Sequence, residues 1–271
     1  MTVVAKTTQF KRAVWAYYRV HGRTMPWRKT NDPYRILVSE IMLQQTQVSR
    51  VLKKYPRFIQ RFPNIQALAR ASLREVLLGW QGMGYNRRAI ALKRLAEEVV
   101  RRHGGRIPQD EAALRALPGV GPATAGAVMA YAWNNPAVFI ETNIRRVFIH
   151  HFFSRRKKVR DEEILKLVAA TVSKTNPREW YWALMDYGTH LAGQAENPNK
   201  RSAHYTKQSK FEGSNRQLRG KLLKFFAARK SAAAAELRRA FPKEPRLTFA
   251  LRELVAEGFL KKGNSQNFRV V

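Results

Sequence analysis

The chain has 271 residues, enough for one large domain plus a small one, and its 51 Lys and Arg against 19 Asp and Glu leave a net charge of +32. That excess predicts a polyanionic partner; no apolar run approaches the roughly 18 residues of a spanning helix and no apolar leader opens the chain, so DNA is expected and a membrane is not. The lack of cysteine excludes disulfides, thiolate-held zinc, iron–sulfur clusters and a cysteine nucleophile, and without an address signal a cytoplasmic, nucleoid-associated monomer is expected.

Residues 7 to 22 carry a helical pattern through Phe10, Val14, Trp15 and Tyr18, then enter an irregular apolar clasp, Met25-Pro26-Trp27-Arg28. Asp32 is placed to cap a helix that begins at Pro33, and the pattern Tyr34, Leu37, Ile41 predicts that it runs toward Val48. On it Glu40 and Gln44 fall one turn apart, followed by Gln45 and Gln47. A helical Glu is ordinarily solvated. The apolar neighbours of Glu40 predict partial burial instead, which raises a carboxyl's pKa and suits a general acid.

A helix to about Phe62, a short one from Ile65 and a third opened by the capping box Ser72-Leu73-Arg74-Glu75 follow. Gly82 and Gly84 then make a bend that presents Tyr85, either into the core or as a wedge into a base stack. A long helix is expected from Arg87 to about Arg102.

Asp110 starts a short helix that leads into Leu117-Pro118-Gly119-Val120-Gly121, a tight turn before a second helix opening at Pro122. Such a turn leaves backbone N–H groups unpaired at the positive end of a helix, unobstructed by Cβ atoms at Gly119 and Gly121. That is a phosphate seat, although a plain helical hairpin has the same pattern. About twenty residues on, Glu141 ends an apolar run just before a helix carrying Asn143, Arg145 and Arg146. A carboxylate there is expected near a bound DNA backbone, with the arginines toward the DNA.

Further helices are expected at 142 to 152, 161 to 174 and 178 to 195. Residues 196 to 214 read as a basic connector, closing a domain of residues 1–195. The last part, 215–271, predicts helices at 215 to 229, 232 to 241 and 247 to 257, then a two-stranded ribbon turning at Gly263-Asn264. This order describes a winged helix with 247 to 257 in the recognition position. From Asn197 onward there are 18 Lys and Arg against 5 Asp and Glu, so this part is expected to touch DNA too, or else to be a protein-contact unit with a solvated basic surface.

With these motifs in view, the chain resembles the helix-hairpin-helix (HhH-GPD) base-excision DNA glycosylases, and within them the MutY adenine glycosylases. S-E-I-M-L-Q-Q-T-Q-V at 39 to 48, W-Q-G-M-G-Y-N-R-R-A at 80 to 89, L-P-G-V-G-P-A-T-A-G-A at 117 to 127 and A-L-M-D-Y-G at 183 to 188 carry the resemblance, in order and in register. F-E-G-S-N-R-Q-L-R-G at 211 to 220 is similar to a segment of some members. The resemblance implies an all-α fold, a six-helix barrel-like domain plus a second helical domain, here followed by the winged-helix-like unit. It implies that Gly119 and Gly121 grip the DNA strand, often with a monovalent cation, that Glu40 protonates an excised adenine, and that Gln44, Gln45 and Tyr85 enter the base stack.

The sequence departs from the family at four points. The family aspartate is Glu141 here. The position of the Schiff-base lysine of bifunctional relatives is Ala123, which cannot form an imine. The four cluster cysteines expected near 191 to 210 are absent, and the last 60 residues are too few for the 8-oxoguanine-recognition domain. The expected activity is therefore a monofunctional glycosylase acting on a flipped adenine in duplex DNA, without an iron–sulfur cluster. A thymine or uracil glycosylase acting opposite guanine and a non-catalytic DNA-binding relative are the alternatives.

Overall fold

The computed structural model describes residues 3–194, 196–206, 210–263 and 267–271. Among them the helices run α1 Val3–His21, α2 Pro33–Leu43, α3 Val48–Arg61, α4 Ile65–Arg70, α5 Leu73–Gly79, α6 Arg87–His103 and α7 Glu111–Ala116. There follow α8 Pro122–Trp133, α9 Thr142–Phe152, α10 Asp161–Thr171, α11 Pro177–Ala192 and α12 Asn215–Arg229. Strand β1 (Ser231–Ala233), α13 (Ala234–Ala240), α14 (Leu247–Ala256) and strands β2 (Leu260–Lys262) and β3 (Asn267–Val270) complete the chain.

The starts of the helices obey local chemistry. Asp32 Oδ1 accepts from the Tyr34 backbone N–H at 2.9 Å, Ser72 and Glu75 close their capping box, Asp110 Oδ1 accepts from Ala113 N–H at 2.7 Å, and Asn176 caps the Pro177 start. Helix α2 stops at Leu43, short of the expected Val48, because Gln45 turns left-handed (φ 51°). Gln44 is consequently the first residue beyond the helix.

The chain packs into two compact units, each gathered from separate stretches. Met1–Glu40, Pro108–Ala116 and Val120–Lys207 form the first; Ile41–Ile107, Leu117–Gly119 and Gln208–Val271 form the second. One of the divisions between the units falls within the stretch 196–214 expected as a connector, and the others fall earlier in the chain; Lys207, Gln208 and Ser209 of that stretch lie outside the described residues, as does Ala195. The rest of that stretch is partly folded: Pro198–Arg201 is a short 3-10 turn, Asn199 is buried with its Nδ2 donating to Thr142 O at 2.9 Å, and Ser202 bridges Val159.

In the first unit α9 and α11 cross closely. A Cβ on Gly188 would lie 2.5 Å from the Asn143 carbonyl oxygen, so only glycine lets the two backbones meet there. Phe10, Phe148 and Trp180 fill the core beside this crossing, with ring centroids 5.0 to 5.8 Å apart. The buried Asp186 carboxylate accepts from both Arg28 Nη atoms at 2.8 Å and from Arg23 Nε and backbone N at 2.8 Å, tying down the 23–28 clasp.

In the second unit Trp80 and Phe58 are buried against each other, and α4 and α5 lie on α6. The winged-helix order is present, with one addition: residues 232 and 233, expected to open a helix, form β1 together with Ser231. Its side chains are too small for the core-facing helical stripe, and they pair with β3 in an antiparallel sheet ordered β1-β3-β2. Asn264 of the expected ribbon turn lies outside the described residues.

Candidate active site

Glu40 sits on a helix whose Ile36, Leu37, Val38, Ser39, Ile41 and Met42 are all buried, and it retains only partial contact with solvent. Removing a carboxylate from water favours its neutral form. Burial, with the charge of Glu141 adding and that of Arg28 opposing, pushes Glu40 up to about 8. At neutral pH it holds a proton. The two acids, 101 positions apart in the sequence, both belong to the first unit, and the charge of Glu141 adds to the upward shift of Glu40.

Glu141 is the N-cap of α9. Its Oε1 accepts from the backbone N–H groups of Asn143 at 2.6 Å and Ile144 at 2.9 Å, which places its charge against the positive end of the helix. The extra methylene relative to aspartate is taken up by folding the side chain back over the first turn. Its pKa stays raised above the usual carboxylate value because burial outweighs the two backbone donors and the charges of Arg145 and Arg146, which offset part of the rise. Asn143 Nδ2 reaches Glu141 Oε2 at 3.4 Å.

Arg145 and Arg146, expected to face DNA, point elsewhere. Arg145 makes a bidentate pair with Asp161 at 2.6 and 2.7 Å. Arg146 is buried, and its Nη1 donates to Asn143 Oδ1 and to Gly188 O, both at 2.7 Å, while Nε reaches Asn197 Oδ1 at 3.2 Å. Both hold the α9 start in shape. A charged residue's sequence position does not say whether water or a protein carboxylate will satisfy it, and here Asp161, Asn143 and Asn197 do.

The sequence reading missed Tyr131 on α8. It is buried, stacks on Trp182 (6.1 Å, 30°), meets Phe139 edge-on, and feels the charges of Glu40, Arg28 and Glu141, so a phenol shares the environment of the two acids. Burial first, then Glu40, holds its pKa well above the ordinary phenol value. An apolar-looking run, A-V-M-A-Y-A-W, gave no signal for it beyond the tyrosine itself.

The second unit holds Gln44, Gln45, Tyr85 and Gly119, and Gly121 belongs to the first. Arg88, buried, donates through Nη1 to the carbonyls of Ile41, Met42 and Gln44 at 2.7 to 2.9 Å and through Nη2 to Thr46 Oγ1 at 2.9 Å. It satisfies the carbonyls that the early end of α2 leaves open, and burial lowers its own pKa to about 10. Gln45 is exposed in the left-handed turn, Gln44 Nε2 donates to Gly119 O at 3.3 Å, and Tyr85 is half-buried with φ 47° between the positive-φ Gly84 and α6.

In the hairpin, Gly119 has φ 80° and a Cβ there would come 2.8 Å from the Ala91 Cβ, so both conformation and packing require glycine. Gly121 is the N-cap of α8, extended at φ −91°, and a Cβ there would meet nothing within 4 Å. Its side is open. Ala123, in the first turn of α8, offers no amine.

A family model described as "HhH-GPD superfamily base excision DNA repair protein" matches residues 38–170. Adenine DNA glycosylase of Buchnera aphidicola subsp. Baizongia pistaciae is 35% identical over 187 residues, 67% of this chain and 52% of the relative, so the chain spans about half that protein's length. Thymine/uracil-DNA glycosylase of Pyrobaculum aerophilum is 35% identical over 187 residues, covering 66% of this chain and 81% of that protein. The chain belongs to the HhH-GPD superfamily.

The solved structure of a thermostable thymine-DNA glycosylase superposes on 73% of this chain and 92% of its own with a TM-score of 0.64 at 27% identity, in agreement with the helical architecture. The iron–sulfur cluster that the resemblance brings to mind finds no donors here: the chain has no thiolate to offer, and residues 197–202 are engaged with Arg146, Thr142 and Val159. Among the described residues no group of three or more His, Asp or Glu is arranged to hold a metal ion, and no helix is long and apolar enough to cross a membrane.

Proposed function

We propose that this chain is a monofunctional DNA glycosylase that hydrolyses the N-glycosidic bond of an adenine opposite 8-oxoguanine or guanine in duplex DNA. What supports the reading is the placement of Glu40 among buried apolar neighbours where the charge of Glu141 also acts on it, which favours its protonated form. Purine departure needs a proton on the leaving base and negative charge near the sugar as it becomes an oxocarbenium ion. Glu40 gives its proton to the base, and the Glu141 carboxylate, held by two backbone N–H groups and flanked by Asn143, stabilises the cationic sugar.

The glycosidic electron pair leaves with the base, water attacks C1′ and releases a proton, and an abasic site remains. The backbone at Gly119 and Gly121 takes the phosphates, and Gln44, Gln45 and Tyr85 fill the space in the stack. Ala123 supports hydrolysis over lyase chemistry because no imine can form there.

The Pyrobaculum relative supports a second reading, a thymine or uracil glycosylase. Pyrimidine loss leans less on a protonated acid, so the raised Glu40 favours adenine. Stoichiometric enzyme on duplexes carrying A opposite 8-oxoguanine, A opposite G, T opposite G and U opposite G, read with and without alkali, separates them. Alkali-dependent breaks at adenine are expected, and Glu40→Gln abolishes them while sparing binding. Breaks at T or U alone turn the reading to the second activity, and salt-sensitive binding with no abasic site on any duplex leaves a non-catalytic DNA-binding protein.

A further inference from the structure

Tyr85 does not stand alone. Its ring lies between two guanidinium groups, Arg88 at 5.3 Å and Arg216 at 5.7 Å from the centroid, and its hydroxyl accepts from Arg216 Nη1 at 2.9 Å. The backbone at Tyr85 is left-handed, a conformation that L side chains hold only when their surroundings enforce it. Arg88 is fixed by the carbonyls at the end of α2 and forms a rigid floor. Arg216 comes from the first turn of α12, 131 positions away, and α12 is itself anchored. Arg219 on the same helix pairs with Glu253 of α14 and with Glu257, its C-cap; Glu257 is held in turn by Nε and Nη2 of Arg87 at the start of α6, and the two arginines keep its carboxyl near 2.

We propose that Arg216 is a positioning residue for Tyr85, so that the small winged unit, through α12, sets the orientation of the ring that enters the base stack. The proposal rests on the reading of Tyr85 as a stacking wedge. A two-point hold, ring face and hydroxyl, fixes both the tilt of the ring and its rotation, which neither cation–π contact achieves alone. A wedge held in this way meets DNA in its working orientation without first losing rotamer freedom, which favours the flipped state. The winged unit thereby gains a role in excision even where it contacts no base.

The test is a double-mutant cycle with Arg216→Ala, Tyr85→Phe and the pair together, at enzyme concentrations that saturate the duplex. Two readouts are taken: the single-turnover excision rate, and the fluorescence of a 2-aminopurine placed next to the target adenine, which rises when the stack is opened. Each single change is expected to lower both by about tenfold, the size of one charge-assisted hydrogen bond, and the double variant to be no worse than either single one. Tyr85→Phe keeps the ring and leaves α12 untouched, so it reports on the contact even where Arg216→Ala folds poorly. Single variants that match the wild type, or losses that multiply in the pair, overturn the proposal. Should wild-type enzyme leave no abasic site, the glycosylase reading fails instead, and the fluorescence arm still decides whether Arg216 and Tyr85 act as one.

Discussion

Replacing Glu40 by Gln removes a titrating group while keeping its size and one hydrogen-bonding oxygen, and the consequence for stability follows from linkage. The folded protein holds the Glu40 proton up to about pH 8, whereas an unfolded chain releases it near 4.5. Between those values the native state binds more protons than the unfolded state, so the wild type loses stability as pH rises through that window and levels off above it. At about 1.4 kcal/mol per pKa unit the loss amounts to at most about 5 kcal/mol, reduced in practice by the partial solvent contact of the carboxyl. Glu40→Gln has no proton to lose at this position. Urea denaturation of both proteins at pH 5.5, 7 and 9 should therefore show the variant gaining on the wild type with pH, by on the order of 2 to 3 kcal/mol between pH 5.5 and pH 9. Stability curves that run parallel across this range would falsify the protonated state of Glu40 and with it the division of labour between the two acids.

The hairpin and the helix crossing give further expectations. Gly121→Ala should leave the melting temperature unchanged, since a Cβ there meets nothing, yet weaken binding to any duplex if phosphate approaches that backbone; Gly119→Ala, with φ 80° and the Ala91 contact, should lower stability by about 1 to 3 kcal/mol as well. Equal duplex affinities for Gly121→Ala and wild type, by fluorescence anisotropy, argue against a phosphate seat. Gly188→Ala drives a methyl group into the Asn143 backbone and should cost about 1 to 3 kcal/mol by thermal unfolding and slow excision by displacing the α9 start; wild-type behaviour in both assays shows that α9 and α11 can part without consequence.

Much of this architecture is legible in the chain because it is written in local chemistry. Asp32-Pro33, Ser72 with Glu75, Asp110 and Asn176-Pro177 each mark a helix start where the structure has one. Glu40 could be singled out because its neighbours are apolar, and Glu141 because it ends an apolar run just before a helix. What failed to show in the sequence depends on distant partners. No Gly or Pro marks the end of α2; Gln45 turns the chain there, and Arg88, more than forty residues on, takes up three of the carbonyls left open. Arg145 and Arg146 looked available for phosphate because their partners Asp161 and Asn197 lie 16 and 51 positions away. The polar stretch after 196 reads as a connector by composition, but Asn199 uses its amide on the first residue of α9. Ser231–Ala233 is too short and too poor in branched side chains to announce a strand, and only the opposing β3 makes it one.

The central claim is that Glu40 delivers a proton to the departing adenine. Its most direct test is the single-turnover excision rate on adenine opposite 8-oxoguanine, measured from pH 5 to 9.5 with enzyme in excess. The account predicts a rate that falls tenfold per pH unit above about pH 8, as Glu40 ionises, and a Glu40→Gln protein without measurable excision at any pH. A rate that stays level through pH 9.5, or turnover retained in Glu40→Gln, contradicts it.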